Sequence, residues 1–207
     1  MKTMDSKKRH AEKEEEPPEP KREGLSPLLI WARDIIVLVA FVFAFRAVVA
    51  EANYIPTRSM VPTLQQGDKI IVDKISLHFG ELNRGDIVIF YPPNNLRHVR
   101  FIKRVIGLPG ETVEVRAGVG VFVDGKLLDE PYITTPPNYY FGPKEVPQGY
   151  YFLLGDNRCE SEDSHVWGMC PDQNVIGRAL FRYWPVVRIG SIENKSFREH
   201  YFFDKEY

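Results

Sequence analysis

The chain carries the sequence IPTRSMVPTL at residues 55–64, between a long apolar run and a region rich in strand signals. Pro56 and Pro62 flank Ser59, and each proline fixes its own φ and pushes the preceding residue toward extended conformations. Ser59 is therefore predicted to lie in a stiff, non-helical segment, which is the fixed presentation that a nucleophile needs. A proline-rich linker is the alternative explanation of this stretch, because a serine hydroxyl needs a base before it can react.

The apolar run before this stretch predicts a transmembrane helix over residues 26–50. Ser26-Pro27 is typical of a helix start, and roughly 20 helical residues span about 30 Å, the thickness of a bilayer core. Basic residues precede the apolar centre more often than they follow it, so the N-terminus is predicted to be cytoplasmic and the rest external. The alternative is a cleaved signal peptide with a small-residue site at residues 50–52.

The remaining composition limits what else the chain can be. Residues 1–25 are dominated by Lys, Arg, Glu and Pro, and we predict a disordered cytoplasmic tail there. The 207 residues can hold one sizeable domain besides. A formal net charge of −1 produces no long-range field that would attract nucleic acid or another strongly charged partner.

The sequence predicts an all-β domain of antiparallel strands over residues 51–207. Short β-branched runs with Gly and Pro between them are typical of such domains. Asp124-Gly125 lies between two apolar runs and predicts a β-hairpin with a type I′ turn. The predicted strands cover residues 69–75, 86–91, 99–106, 112–115, 121–123, 126–128, 150–154 and 179–184.

Two side chains are candidates for the base that Ser59 needs. Lys103 lies inside an apolar strand, on the same face as Phe101 and Val105. Burial there disfavours the charged amine and lowers its pKa toward a range in which it can accept a proton. In an edge strand, Lys103 would instead point to water. His165 is the other candidate, since it lies in a loop rich in Glu and Asp and could complete a Ser-His-Asp arrangement.

The polar loop at residues 155–165 follows an apolar strand. Its Gly-Asp-Asn start fits a structural turn, but its polar run is longer than a turn needs. The two cysteines, Cys159 and Cys170, flank the second half of the loop. We predict a disulfide between them, on an external face where thiols that can meet tend to pair, and the alternative is two separate cysteines that act as small apolar residues. A metal site made of Cys159, His165 and Cys170 matches no strong template, and no metal is expected.

Three blocks in order resemble the type I signal peptidases, which are membrane-anchored Ser-Lys proteases that remove signal peptides from exported proteins. The blocks are SMVPTL at residues 59–64, RFIKRVIGLPGE at residues 100–111, and GDNR at residues 155–158 followed by Ser161, Asp163 and Ser164. With the preceding apolar helix, the resemblance covers about residues 30–190.

The resemblance implies a role for each site residue. Ser59 would be the nucleophile and Lys103 the neutral general base. The Ser59 backbone N–H and the Thr57 hydroxyl would form the oxyanion hole. Ser161 would orient the Lys103 amine, and Asp163 would support the loop.

Two positions depart from the commonest pattern of the family. His165 stands where many members have arginine, which weakens any ion pair with Asp163. Arg58 stands where a small residue is common, beside Ser59, and could alter substrate contacts. Neither change removes a group that the resemblance makes catalytic.

The resemblance implies a single-pass endopeptidase of the plasma (inner) membrane, with an extracytoplasmic catalytic domain, that cuts preproteins after Ala-x-Ala-like sites. Its expected partners are preprotein signal peptides and the lipid bilayer, with no nucleic acid and no cofactor. The expected pockets for small side chains are lined by Ile55, Met60, Phe101 and Ile102. Two alternatives stay open: a self-cleaving Ser-Lys protease of the SOS-repressor type, and a membrane-tethered binding module without activity.

Overall fold

A computed structural model describes residues 26–48, 50–75, 80–93 and 99–192, and the side chains of all of these except residues 44–50. The predicted tail at residues 1–25 and the end of the predicted domain, residues 193–207, lie outside the described residues. The chain divides into two units, Met1–Ala40 and Phe41–Tyr207.

Helix α1 spans Pro27–Val48, close to the bounds predicted for the apolar helix. The Ser26 carbonyl accepts hydrogen bonds from the N–H groups of Leu29 (2.9 Å) and Ile30 (3.2 Å), which satisfies two donors of the first turn. The large apolar side chains of its described part are exposed. Among the described residues, no helix is both long enough and apolar enough to cross a bilayer.

The rest of the described chain is mostly antiparallel β-structure. Its strands are β1 (Ala50–Tyr54), β2 (Lys69–Asp73), β3 (Ile87–Phe90), β4 (Phe101–Gly107), β5 (Thr112–Arg116), β6 (Gly120–Val123), β7 (Lys126–Leu127), β8 (Phe141–Glu145), β9 (Tyr150–Leu154), β10 (Cys170–Pro171), β11 (Val175–Trp184) and β12 (Gly190–Ser191). A short helix, α2, spans Ser164–Trp167, and 3-10 turns span Asp172–Asn174 and Val186–Arg188.

The described strands form two sheets. An eight-stranded sheet has the order β1-β2-β11-β3-β4-β9-β10, with β12 paired to β11, and a four-stranded sheet has the order β7-β6-β5-β8. Every strand pair is antiparallel. The predicted antiparallel β-fold is therefore confirmed.

The predicted hairpin lies between β6 and β7. Asp124 has φ 49° and Gly125 has φ 76°, and a type I′ turn needs positive φ at both central residues. Val123 pairs with Lys126 across the turn. The local sequence therefore predicted this hairpin of the second sheet correctly.

Strand β4 lies inside the first sheet, between β3 and β9. All of its residues after Phe101 are buried, because apolar clusters pack on both faces of the sheet. Lys103 stands opposite Val88 of β3. The alternative in which Lys103 points to water from an edge strand is therefore wrong.

Candidate active site

The turns that follow β1 hold Ser59 in place. Residues 57–64 are bends and turns, without helix or strand, as predicted. Ile55, Met60 and Leu64 are each at most 2% exposed and pack in the core beside β2. Because these apolar side chains anchor the segment on both sides of the serine, the Ser59 side chain is itself fixed and buried.

Lys103 meets Ser59 from strand β4. Its Nζ atom lies 2.8 Å from Ser59 Oγ and 3.1 Å from the Ile102 carbonyl oxygen, and Lys103 is only 4% exposed. Desolvation lowers the pKa of the Lys103 amine from 10.5 to about 8, although the negative charges of Asp163 and Asp156 act in the opposite direction. Near pH 8 a large fraction of this amine is neutral and can accept the Ser59 proton.

Thr57 places a second hydroxyl beside the serine. Its Oγ1 atom lies 3.3 Å from Ser59 Oγ, and its side chain lines the same cleft as Ser59 and Lys103. A donor in this position can face an oxygen that develops negative charge next to Ser59.

The loop that begins at Gly155 is hydrogen-bonded to the backbone of residues 55–64, which we call the serine segment. The Asn157 backbone N–H donates to the Ser59 carbonyl (3.0 Å), and the Asn157 side-chain amide donates to the Arg58 carbonyl (3.2 Å). A Cβ atom on Gly155 would lie 2.5 Å from the Ser59 carbonyl oxygen, so only glycine fits there. The fit of Gly155-Asp156-Asn157 to a structural turn did not predict this direct contact with Arg58 and Ser59.

Ser161 lies on the other side of Gly155 and is buried. Its Oγ atom would be 2.2 Å from a Cβ atom on Gly155, and it has no hydrogen-bond partner among the described residues. The Lys103 amine bonds instead to Ser59 and to the Ile102 carbonyl. The orienting role of Ser161 therefore stays a prediction.

Asp163 is fully buried and joins three parts of the loop. Its carboxylate accepts from the Gly155 backbone N–H (3.0 Å) and from the His165 backbone N–H (3.3 Å), which caps α2. His165 Nδ1 lies 2.6 Å from Asp163 Oδ1, and the imidazole stacks on the Tyr139 ring at 3.7 Å. His165 thus lies on the loop, in contact with Asp163, and the Ser59 hydroxyl is met by Lys103 instead.

A buried ion pair next to the dyad connects the segments that carry the site residues. Arg104, the residue after Lys103, binds Asp156 through Nε (2.8 Å) and Nη2 (2.6 Å). Thr63 donates to the same carboxylate (2.5 Å). This cluster ties β4, the serine segment and the polar loop together. No role was predicted for this cluster from the sequence, although all three residues lie inside the resemblance blocks.

The reactive side chains open into a cleft of about 270 Å³. Phe101 and Ile102 line it, together with the charged side chains of Arg58, Glu160 and Glu162. Ile55 and Met60, which were also expected in the pockets, lie in the core. A larger cavity of about 460 Å³, near Tyr151 and Asp172, contains none of the predicted reactive residues.

The predicted disulfide is wrong, because both cysteines are free. Cys170 is buried in the core beside Phe90, whereas Cys159 is exposed, with its Sγ atom 3.5 Å from the Pro136 carbonyl oxygen. Sequence spacing carries no information on how two Cβ atoms face each other. Within the described residues, no group of three His, Cys, Asp or Glu side chains could hold a metal ion.

The site has the geometry of a hydrolase that uses a serine nucleophile. A serine hydroxyl in contact with a buried amine of lowered pKa is one of the arrangements that activate this nucleophile. Comparison with known proteins agrees with that class. The family model described as signal peptidase, peptidase S26, matches residues 28–184.

Three relatives are similar over most of this chain. Signal peptidase I of Leptolyngbya laminosa is 49% identical, covering 81% of this chain and 85% of the relative. Probable signal peptidase I-2 of Synechocystis sp. is 45% identical, covering 91% and 85%. Thylakoidal processing peptidase 1, chloroplastic, of Arabidopsis thaliana is 40% identical, covering 76% and 49%. The chain therefore belongs to the signal peptidase family, peptidase S26, as a type I signal peptidase of the serine peptidase class.

Proposed function

We propose that this enzyme removes signal peptides from exported preproteins with a Ser59-Lys103 dyad. The observation that carries the proposal is the 2.8 Å contact between Lys103 Nζ and Ser59 Oγ, both buried. The lowered pKa of Lys103, about 8, supports its role as the base. The names of the relatives support signal peptides as the substrate.

In the first half of the reaction, neutral Lys103 takes the proton of the Ser59 hydroxyl while Oγ attacks the carbonyl carbon of the scissile peptide bond. The resulting oxyanion accepts hydrogen bonds from the Ser59 backbone N–H and the Thr57 hydroxyl. The Lys103 ammonium then gives its proton to the leaving amine. The C–N bond breaks, the mature protein departs, and the signal peptide stays as an ester on Ser59.

In the second half, Lys103 is neutral again and takes a proton from water. The hydroxide attacks the ester, and the same donors stabilise the second oxyanion. Lys103 returns the proton to Ser59 Oγ, which frees the signal peptide as a carboxylic acid, and this acid then loses its proton to water. In this proposal Ser161, Asp163 and His165 support the loop that faces the dyad.

The cleft supports a preference for small residues before the cleavage site. Phe101 and Ile102 are part of the cleft lining next to the dyad, and apolar lining suits the methyl side chains of an Ala-x-Ala-like site. We therefore keep the Ala-x-Ala-like site as part of the proposal.

We also propose that segment 26–50 anchors the enzyme in the plasma (inner) membrane, with the N-terminus cytoplasmic and the β-domain extracytoplasmic. The exposed apolar side chains of α1 support membrane contact. In the β-domain, Trp184, Val187 and Ile189 are exposed close together along the chain, which suits a face that rests on lipid. Protease protection of an N-terminal tag in inverted and right-side-out vesicles tests the orientation.

Cleavage of a purified preprotein by the wild type and by Ser59→Ala tests the function. Ser59→Ala should lose all measurable cleavage, because the substitution removes the oxygen that forms the ester. Ser191→Ala, an exposed serine on β12, is the matched control and should cleave like the wild type. Equal cleavage by Ser59→Ala would exclude the proposed mechanism.

A further inference from the structure

Two buried charges outside the proposed dyad lie directly behind the polar loop. Glu130 lies in the segment that follows β7 of the second sheet, and Arg158 lies in the polar loop. Their side chains are 3% and 0% exposed. The dyad mechanism does not use either residue.

The pair is held by several short bonds. Arg158 donates to the Glu130 carboxylate through Nη1 and Nη2, each at 2.6 Å. The Tyr132 hydroxyl donates to the same carboxylate at 2.5 Å. Two-pronged arginine–carboxylate pairs fix orientation as well as distance, so Arg158 has little freedom to move.

The third donor of Arg158 reaches the catalytic loop. Its Nε atom donates to the Gly155 carbonyl at 3.0 Å, while the Gly155 backbone N–H donates to Asp163 at 3.0 Å. Gly155 is therefore held at both its N–H and its carbonyl. Its Cα packs so closely between the Ser59 carbonyl and Ser161 Oγ that no Cβ could be added.

We infer that Glu130 is a positioning residue for the peptidase reaction, acting through Arg158 and Gly155 on Ser59. The contacts are continuous from Glu130, in the segment that follows β7, through Arg158 and Gly155 to the Ser59 backbone. Catalysis needs reacting groups held within about 0.5 Å of their productive geometry. The Glu130–Arg158 pair supplies that precision through Gly155, and neither residue lines the cleft of the dyad.

A merely structural pair would behave differently. Breaking a buried ion pair lowers stability in any protein, but the molecules that remain folded would keep the wild-type kcat. A positioning pair also changes the turnover of the folded molecules, because the Ser59 backbone shifts. The kcat of the folded fraction separates the two roles.

The test uses the full chain in detergent micelles and a signal-peptide substrate. We expect Glu130→Gln to lower kcat of the folded fraction between about 10- and 100-fold, with KM within about twofold of wild type. Tyr132→Phe removes the hydroxyl that donates to Glu130 and should lower kcat about fivefold. Glu114→Gln, which breaks a partly exposed two-pronged pair with Arg116 on β5, is the matched control and should leave kcat unchanged.

The kcat of the folded fraction in the two variants decides the inference. An unchanged kcat of the folded fraction in both Glu130→Gln and Tyr132→Phe overturns it, as does a change confined to KM or to melting temperature. If Glu130→Gln does not fold, Tyr132→Phe alone decides. The inference rests on the proposed function, so Ser59→Ala is measured in parallel: its activity reports on the dyad, whereas the Glu130 variants report on positioning alone.

Discussion

Lys103 and Arg104 are neighbours on strand β4, both buried, yet their surroundings treat their charges in opposite ways. Lys103 faces hydroxyl and carbonyl oxygens, and desolvation lowers its pKa to about 8. Desolvation acts on Arg104 too, but the charge and hydrogen bonds of Asp156 outweigh it and raise the Arg104 pKa. A buried cation is neutralised where no carboxylate bonds to it and retained where one does.

Strand β4 therefore has a reactive face, which carries Lys103, and a bracing face, which carries Arg104. Alternate residues of a strand point to opposite sides, so two adjacent positions can serve two purposes. On one side the amine is free to exchange a proton with Ser59. On the other, the guanidinium holds Asp156 and the polar loop in register with β4.

The largest effect on activity is expected when the Lys103 amine is replaced by a guanidinium, the group that Arg104 carries on the bracing face. In Lys103→Arg the buried group cannot give up its proton, so the base is lost and kcat should fall by at least about 10³-fold. Lys144→Arg, on exposed strand β8, is the control and should cleave normally. Single-turnover cleavage of a preprotein measures both, and wild-type rates in Lys103→Arg would rule Lys103 out as the base.

Breaking the bracing face should act on stability first. Asp156→Asn leaves the Arg104 charge buried without a counter-ion, and we expect the free energy of unfolding to drop by about 3–5 kcal/mol. Urea titration followed by tryptophan fluorescence measures it. The control is Glu114→Gln at the partly exposed pair with Arg116, which should change stability by less than about 1 kcal/mol. Equal effects at the two sites would contradict the role given to burial.

Filling the space between the Ser59 carbonyl and Ser161 should lower both activity and stability. A Cβ on Gly155 would meet Ser161 Oγ at 2.2 Å and the Ser59 carbonyl at 2.5 Å. Gly155→Ala must shift the backbone, which we expect to lower stability by about 1–3 kcal/mol and kcat about tenfold or more. Gly190→Ala, with nothing within 4 Å of its Cβ position, is the control. Thermal melts and cleavage rates check both.

The lowered pKa of Lys103 predicts how activity and stability depend on pH. Because the base must be neutral, kcat/KM should rise as pH increases through about 8, the pKa of Lys103. The Glu162 charge raises that pKa, so Glu162→Gln should move the rise to lower pH. Stability should increase between about pH 8 and 10.5, since the unfolded chain still binds the proton that folded Lys103 has lost. Lys103→Met should lack this increase.

The smallest effect is expected at the cysteines, which belong neither to the dyad nor to the Arg104–Asp156 pair. Cys159 is exposed and Cys170 is buried, and both are free. Cys159→Ser should leave melting temperature and cleavage unchanged in oxidising buffer. A thiol reagent should label Cys159 in the folded enzyme and Cys170 only after unfolding. Protection of Cys159 in the folded state would contradict this assignment.

Sequence reasoning reached the elements whose cause is local. The hairpin at Asp124-Gly125 formed as predicted because its turn needs positive φ at two consecutive residues, which these residue types permit. Ser59 lies in a non-helical segment because two prolines restrict the chain around it. Lys103 could be singled out because a lysine inside an apolar strand is unusual.

Contacts between distant segments were beyond that reach. The predicted disulfide failed because the orientation of the Cys159 and Cys170 side chains depends on how the loop and β10 pack. Ile55, Met60 and Ile102 pack in one core cluster, whereas the cleft is lined by Phe101 and, in part, by Ile102. This placement depends on how residues 55–64 pack against the sheet. Alternation along one strand cannot say which neighbour a side chain meets.

The strand-rich class, the apolar helix, and the unusual positions of Ser59 and Lys103 could be predicted from the sequence alone. The central position of β4 in its sheet, the contact of Lys103 with Ser59 rather than with water, and the Glu130–Arg158 pair depend on the folded chain. Periodicity and turn chemistry act over only a few residues. Burial, which sets both pKa and precision here, is a property of segments far apart in the chain.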